Sequence, residues 1–166
     1  FSGWKYILLL LFVTFISHTI SRKIVQNDKS KSVQKLFLTL GLIVLFSPLM
    51  YFKYFNFISS NLNLFFHSAI PFYKIILPVG ISFYTFQTAG YLIDCYKEKE
   101  SYCKNFIDFA LYVSFFPQLV AGPIERASNL IPQLSKEFKY KSSNFNSGLK
   151  IALWGFFKKI VVADNI

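Results

Sequence analysis

WKYILLLLFVTFISHTI at 4–20 and LFLTLGLIVLFSPLMYF at 36–52 decide the fold class. A helix crosses about 30 Å of hydrocarbon with roughly 20 mainly apolar residues, and both stretches come close to that. The first carries Lys5, Ser17, His18 and Thr19 among its apolar residues; the second is broken late by Pro48. A cleaved leader is the rival reading of 4–20. It fails because no small-residue cleavage site follows and the basic cluster comes after the run. Proline is tolerated at membrane depth where a neighbour satisfies the carbonyl it frees, so 36–52 is expected to be a second span.

Composition points the same way. Hydrophobic residues make up 54% of the chain and the mean hydropathy is +0.42, above the usual range of a soluble domain. The 21 Phe among 166 residues are more rings than a core of this size hides, and lipid accepts them. The net charge of +10 sits in short basic blocks between apolar runs. Arg22, Lys23, Lys29, Lys31 and Lys35 face only Asp28 within 22–35, which places that loop in the cytoplasm by the positive-inside bias. No nucleic-acid motif accompanies the charge, so the expected partner is the lipid bilayer and not RNA or DNA. Cys95 and Cys103 match neither a zinc spacing nor a disulfide framework. Juxtamembrane cysteines are sometimes palmitoylated; a plain free thiol is the simpler reading.

The segment 53–73 alternates aromatic and polar residues, with Asn56, Asn61, Asn63 and His67, and is expected to be interfacial helix and loop. A third span is expected over 75–95. It holds Pro78, Gly80, Ser82, Thr85, Gln87, Thr88 and Gly90, a surface of small and hydrogen-bonding residues suited to contact with other helices and not with lipid. A charged turn at 97–104 follows. In 105–122 the second half is crowded by Pro117, Gln118 and Gly122, with Pro123 beyond; after it Arg126, Lys136, Lys139 and Lys141 outnumber Glu125 and Glu137. Cytoplasmic flanks on both sides make 105–122 a re-entrant element, which needs protein or a watery cavity around it. The run 148–166 resumes as a helix with Lys158, Lys159 and Asp164 near its end. The expected fold is all-α: one membrane domain over 1–166, a polytopic, multi-pass bundle of four to five spanning or re-entrant helices.

No glycine loop for phosphate, nucleophile elbow or metal-ligand spacing occurs; Gly80 stands without the companions of a nucleotide fingerprint. His18 and His67, the two histidines, read as interface residues, because neither has an evident group to orient its ring for proton transfer. LPVGISFYTFQ at 77–87, leading to Tyr91, Asp94 and Tyr96, and FFPQLVAGPIERASNLIPQL at 115–134 stand out. Both set polar side chains and helix breakers in apolar surroundings. Helix packing and the lining of a cavity remain equally open from the residues alone. In the second reading Arg126, beside Gly122 and Pro123, is placed to grip an anionic group.

Three pieces in this order, PVGISFYTFQ at 78–87, SFFPQLVAGPI at 114–124 and KKIVVADNI at 158–166, resemble the membrane-bound O-acyltransferase family. The nearest type is the bacterial alginate O-acetyltransferase; the D-alanine transfer protein of teichoic acid synthesis is more distant. The resemblance covers about 36–166 and is strongest over 75–166. It implies a partial version of a ring of tilted and re-entrant helices around a funnel, in a bacterial inner (cytoplasmic) membrane. It also implies transfer of an acyl group, acetyl above all, to hydroxyls of a cell-envelope polysaccharide or of a relay partner. The implied donor is acetyl-CoA or another thioester, with no bound cofactor or metal. A periplasmic acetyltransferase or acyl-relay protein is the implied partner. Ser82, Tyr84, Gln87, Pro117, Gln118, Gly122, Pro123 and Arg126 are expected to line the acyl path. The family's catalytic histidine lies C-terminal to the motif at 160–166, so no catalytic residue is assigned here, and the chain is expected to be an inactive part of the enzyme. A transporter subunit with broken helices along a solute path and a non-catalytic membrane scaffold are the rival readings.

Overall fold

The computed structural model describes residues 3–27, 29–66, 73, 75–119, 123–136 and 140–165, and these form helices and connections without a strand. Two compact units divide the chain, Phe1–Ser135 and Lys136–Ile166.

The first unit begins with α1, Gly3–Gln26. Its stretch Tyr6–Gln26 is long and apolar enough to cross a membrane. The hydroxyls of Thr14, Ser17 and Thr19 donate to the carbonyls of Leu10, Val13 and Phe15 at 2.8, 2.6 and 2.8 Å. These helical back-bonds leave no hydroxyl donor loose in an apolar setting. The helix continues past the apolar run through Arg22 and Lys23, where basic side chains suit the negative end of the helix.

α2, Lys31–Leu49, starts at an N-cap in which Ser30 Oγ accepts from Val33 N at 3.5 Å. It passes through a π-turn at Met50–Tyr54 into α3, Phe55–Phe66, so that Lys31–Phe65 is a second helix long and apolar enough to span. Within 53–73, expected to be interfacial helix and loop, residues 53–66 are helical and continuous with α2, and most of 67–73 lies outside the described residues. The chemistry lies at Pro48, which cannot bond the carbonyl of Val44. The hydroxyl of Ser47 donates to that carbonyl at 2.9 Å, and the π-turn absorbs the ring's disturbance one turn later. Asn56 closes this element onto Tyr73, its Nδ2 donating to the Tyr73 carbonyl at 2.7 Å and its Oδ1 accepting the Tyr73 N–H at 3.2 Å. His67 lies outside the described residues.

α4, Ile81–Lys97, starts later than the expected 75. Ile75–Pro78 is not helical, and Gly80 takes φ 75°, a left-handed turn that a side chain resists. Its 17 residues cover roughly 25 Å. α1, α2 and α4 pack on one another, with Val13, Ile24, Leu45, Ile81 and Leu92 in the core. Thr85, Gln87 and Thr88 are buried, as their crowding in sequence implied. The small-residue contact is elsewhere than expected. Gly90 faces open space, whereas a Cβ on Gly41 of α2 would lie 2.9 Å from Leu92 Cδ1 and 3.0 Å from Ile20 Cγ2. Gly41 is where the three helices approach most tightly among the described glycines.

The region 105–122 is built from α5, Phe106–Val113, and a single turn α6, Phe116–Leu119. Eight residues cover about 12 Å, so it is not one spanning helix. α7, Ala127–Leu134, packs against α5. The basic blocks between α1 and α2 and between α4 and α5 meet at one end of this unit: Gln34 Nε2 donates to the Ile24 carbonyl at 2.9 Å, and Lys31 and Lys97 border one cavity.

The second unit is α8, Ser142–Phe157, extended by a π-turn at Lys158–Val162 and a 3-10 turn at Ala163–Asn165. Leu149, Ile151, Leu153, Trp154, Phe156 and Phe157 are all exposed, and Trp154 stacks on Phe157 at 5.3 Å. A helix apolar on every side needs lipid or protein around it.

Candidate functional site

Of the polar residues of α4, Gln87 reaches α5. Gln87 is buried, and its Nε2 donates to the carbonyl of Tyr112 at 3.1 Å. Tyr112, also buried, donates its hydroxyl to the carbonyl of Glu125 at 3.0 Å. This chain of bonds ties α4 through α5 to the segment before α7. Beside it Tyr91 packs its ring against Phe109 with centroids 4.5 Å apart and accepts the Cys103 N–H at 3.0 Å, fixing the loop between α4 and α5.

α4 and α6 hold more buried polar atoms than they pair. Tyr84 Oη, Thr85 Oγ1, Gln87 Oε1 and Gln118 Oε1 are buried with no hydrogen-bond partner among the described residues. Leaving one such group unsatisfied costs about 1–3 kcal/mol, and folded proteins rarely keep several together without a ligand, water or further chain to meet them. Three of the four lie on one helix within residues 84–87, and α6, which carries Gln118, packs against that same helix.

The residues singled out in the sequence thus divide. Tyr84, Gln87 and Gln118 contribute to the seam. Ser82 is half-buried on another side of α4, where Lys53 Nζ donates to its hydroxyl at 3.5 Å. Pro117 and Pro123 are exposed, and Gly122 lies outside the described residues. Arg126 is the exposed N-cap of α7; its carbonyl accepts the N–H groups of Asn129 and Leu130, each at 3.1 Å. Tyr112 was missed by sequence reading. Its one signal is its place in the aromatic run FALYVSFF of 109–116, which does not distinguish it from its neighbours.

His18 packs its ring against Phe106, Phe109 and Tyr102 at 5.4, 5.7 and 5.8 Å, and its Nε2 is buried without a partner among the described residues. No acidic side chain is among those ring neighbours to orient it as a base. Among the described residues no three His, Cys, Asp or Glu side chains come together as a metal site. Cys95 is a buried free thiol; burial pushes the thiol of Cys103, in the following loop, above its ordinary pKa.

These features define a helical membrane protein with a buried polar seam between short, broken helices and a long one. Among curated proteins, the chain is 37% identical to the peptidoglycan O-acetyltransferase of Helicobacter pylori, over 97% of this chain and 35% of that protein. It is 36% identical to the probable alginate O-acetylase AlgI of Azotobacter vinelandii, over 100% of this chain and 34% of that protein. It is likewise 36% identical to its counterpart in Pseudomonas aeruginosa, over 100% and 33%. The chain spans about a third of the length of the curated relatives it matches. No family model matches, and no solved structure matches. The chain belongs to the membrane-bound O-acyltransferases of the bacterial alginate O-acetylase type.

Proposed function

We propose that this chain is part of an enzyme that transfers an acetyl group to hydroxyls of a cell-envelope polysaccharide, directly or through a periplasmic acetyltransferase or acyl-relay partner. Its relatives are named for acetyl transfer to peptidoglycan and alginate. The observation that carries the reading is the seam of unpartnered polar atoms at Tyr84, Thr85, Gln87 and Gln118. Such atoms, held in a water-poor setting, are poised to bond a carbonyl or hydroxyl that passes between them.

In this reading α1, α2–α3, α4, the broken pair α5–α6 and α8 are the four to five spanning or re-entrant passes through the inner membrane. The basic end at Lys31 and Lys97 faces the cytoplasm, from which acetyl-CoA or another thioester delivers the acyl group. Tyr84, Gln87 and Gln118 line the path; Pro117, Gly122, Pro123, Arg126 and Ser82 shape its approaches. The proton-abstracting histidine comes from the part of the relatives' length that this chain does not span, so these residues alone do not complete the reaction.

Gln87→Leu in the parent protein tests the reading, because leucine keeps most of the volume and removes both polar atoms. Acetyl transfer should fall roughly tenfold, the rate equivalent of one hydrogen bond of about 1.4 kcal/mol, while membrane insertion and abundance stay the same. Full acetyl transfer by a normally inserted Gln87→Leu protein removes the seam from the path.

A further inference from the structure

Tyr112 holds a different element at each of its two ends. It is the last residue but one of α5, among those whose carbonyls the helix does not bond itself. That carbonyl accepts Gln87 Nε2 of α4 at 3.1 Å, and the Phe115 N–H reaches it at 3.4 Å. At the other end the hydroxyl donates to the Glu125 carbonyl at 3.0 Å, just before α7 begins at Ala127. Glu125 is fastened a second time, its Oε1 accepting Asn129 Nδ2 at 2.9 Å. Tyr112 and Gln87 are each 1% exposed, so water does not compete for the bond between them.

Fastening of helices explains part of this arrangement. A side-chain donor on a helix-end carbonyl is a cap, and the Tyr112 ring packs with that of Phe109 at 6.1 Å. A cap does not explain why the donor is an amide. A carbonyl only accepts, so Gln87 must turn its Nε2 to Tyr112 and its Oε1 away. That oxygen is left buried without a partner among the described residues, as is the hydroxyl of Tyr84 one turn earlier on the same helix. Stranding a buried acceptor costs about as much as the cap itself gains. The amide has no freedom to flip while the Tyr112 carbonyl holds it. A group that meets Gln87 Oε1 must therefore bring an N–H or O–H, and the place where it meets that oxygen is set by Tyr112.

We propose that Tyr112 is a positioning residue of the acetyl path: its carbonyl aims the Gln87 oxygen at the passing substrate, and its hydroxyl holds the segment before α7 at a fixed distance from that oxygen. The proposal rests on the reading of the unpartnered polar atoms as lining that path. Glu125 stands in the same short segment as Pro123 and Arg126, which shape the approach in that reading. Tyr112 acts on the reaction through Gln87. Without the hydroxyl, the end of α5 loses its tie to Glu125, the carbonyl shifts, and the Gln87 amide is free to turn.

The test is a double-mutant cycle in the parent protein, run in permeabilised cells supplied with radiolabelled acetyl-CoA. Label in the envelope polysaccharides is counted per inserted molecule for Tyr112→Phe, Gln87→Leu and the two combined. Tyr112→Phe should lower transfer roughly tenfold with insertion unchanged. The double variant should transfer no more slowly than Gln87→Leu alone, because a residue that acts through another adds nothing once that other is gone. A hydroxyl that only fastened helices would give losses that multiply, and multiplying losses overturn the proposal. Full transfer by inserted Tyr112→Phe beside an impaired Gln87→Leu also overturns it; either result leaves the path reading standing. Full transfer by Gln87→Leu overturns both together. If Tyr112→Phe is not inserted, Tyr112→Leu, which also lacks the hydroxyl, takes its place in the cycle.

Discussion

Replacing Gly41 should break the packing of the first unit in a way that replacing Gly90 does not. Two terms compete at Gly41. An added Cβ would meet Leu92 Cδ1 at 2.9 Å and Ile20 Cγ2 at 3.0 Å. The first is the end of a flexible side chain and can move; the second is a methyl on a β-branched carbon and yields less. Overpacking of this kind costs about 1–3 kcal/mol. Against it, alanine or leucine in place of glycine gains about 0.8–1 kcal/mol of helix propensity. Gly41→Ala therefore lands near zero, and Gly41→Leu, with three more carbons to place, loses about 2 kcal/mol. At Gly90 a Cβ would meet nothing within 4 Å, so Gly90→Ala keeps only the propensity gain. In a thermal melt of the full chain in detergent, each kcal/mol moves the midpoint by roughly 2–4 °C for a chain of this size. Gly41→Leu should fall by about 4–8 °C while Gly90→Ala holds or rises. A Gly41→Leu midpoint equal to wild type would refute the three-helix seam at that position.

Other perturbations follow from single contacts. Ser47→Ala removes the hydroxyl that satisfies the Val44 carbonyl above Pro48, and should cost about 0.6–1 kcal/mol in a denaturant titration; no loss would mean the carbonyl finds another partner. Tyr91→Phe deletes the acceptor of the Cys103 N–H while keeping the ring on Phe109. Amide exchange at Cys103 should quicken severalfold with little change elsewhere, and unchanged protection there would contradict the tie. The Cys103 thiol is pushed above its ordinary pKa by burial, so iodoacetamide should alkylate it more slowly at pH 8–9 than a free thiol peptide. The folded chain then holds this proton to higher pH than the unfolded chain does. Its contribution to stability is full below the unfolded thiol's pKa of about 8.5 and is lost as pH rises through the folded value. Alkylation at pH 8 as fast as the free peptide would contradict the buried setting.

The parts of this architecture that were legible in sequence are those set by composition. Runs of Leu, Ile and Phe at 4–20 and 36–52 are long because hydrocarbon is thick. The crowding of Thr85, Gln87 and Thr88 on one short helix announces burial because lipid does not meet hydrogen-bonding side chains. The two prolines read differently in space. Pro48 did not end its helix, since the repair by Ser47 and the π-turn at Met50–Tyr54 are side-chain and backbone adjustments with no compositional mark. Pro78 and Gly80 did delay a helix, and the left-handed φ at Gly80 is the reason. Gly41 and Gly90 are indistinguishable in sequence, because a tight contact depends on which neighbour stands opposite. The same holds for the site: Gln87 and Tyr84 were visible as polar groups in an apolar helix, whereas Tyr112 joins them only through the packing of α5 on α4. Arg126, conspicuous in sequence, caps a short helix at the surface.

The most direct measurement is the ester-linked acetyl content of the envelope polysaccharides in cells with and without the parent gene. Loss of acetyl esters on deletion, restored by the wild-type gene and not by its Gln87→Leu form, is the expected result. Acetyl content unchanged by the deletion, with no other O-acetyltransferase of this family in the same cells, would contradict the acetyltransferase assignment.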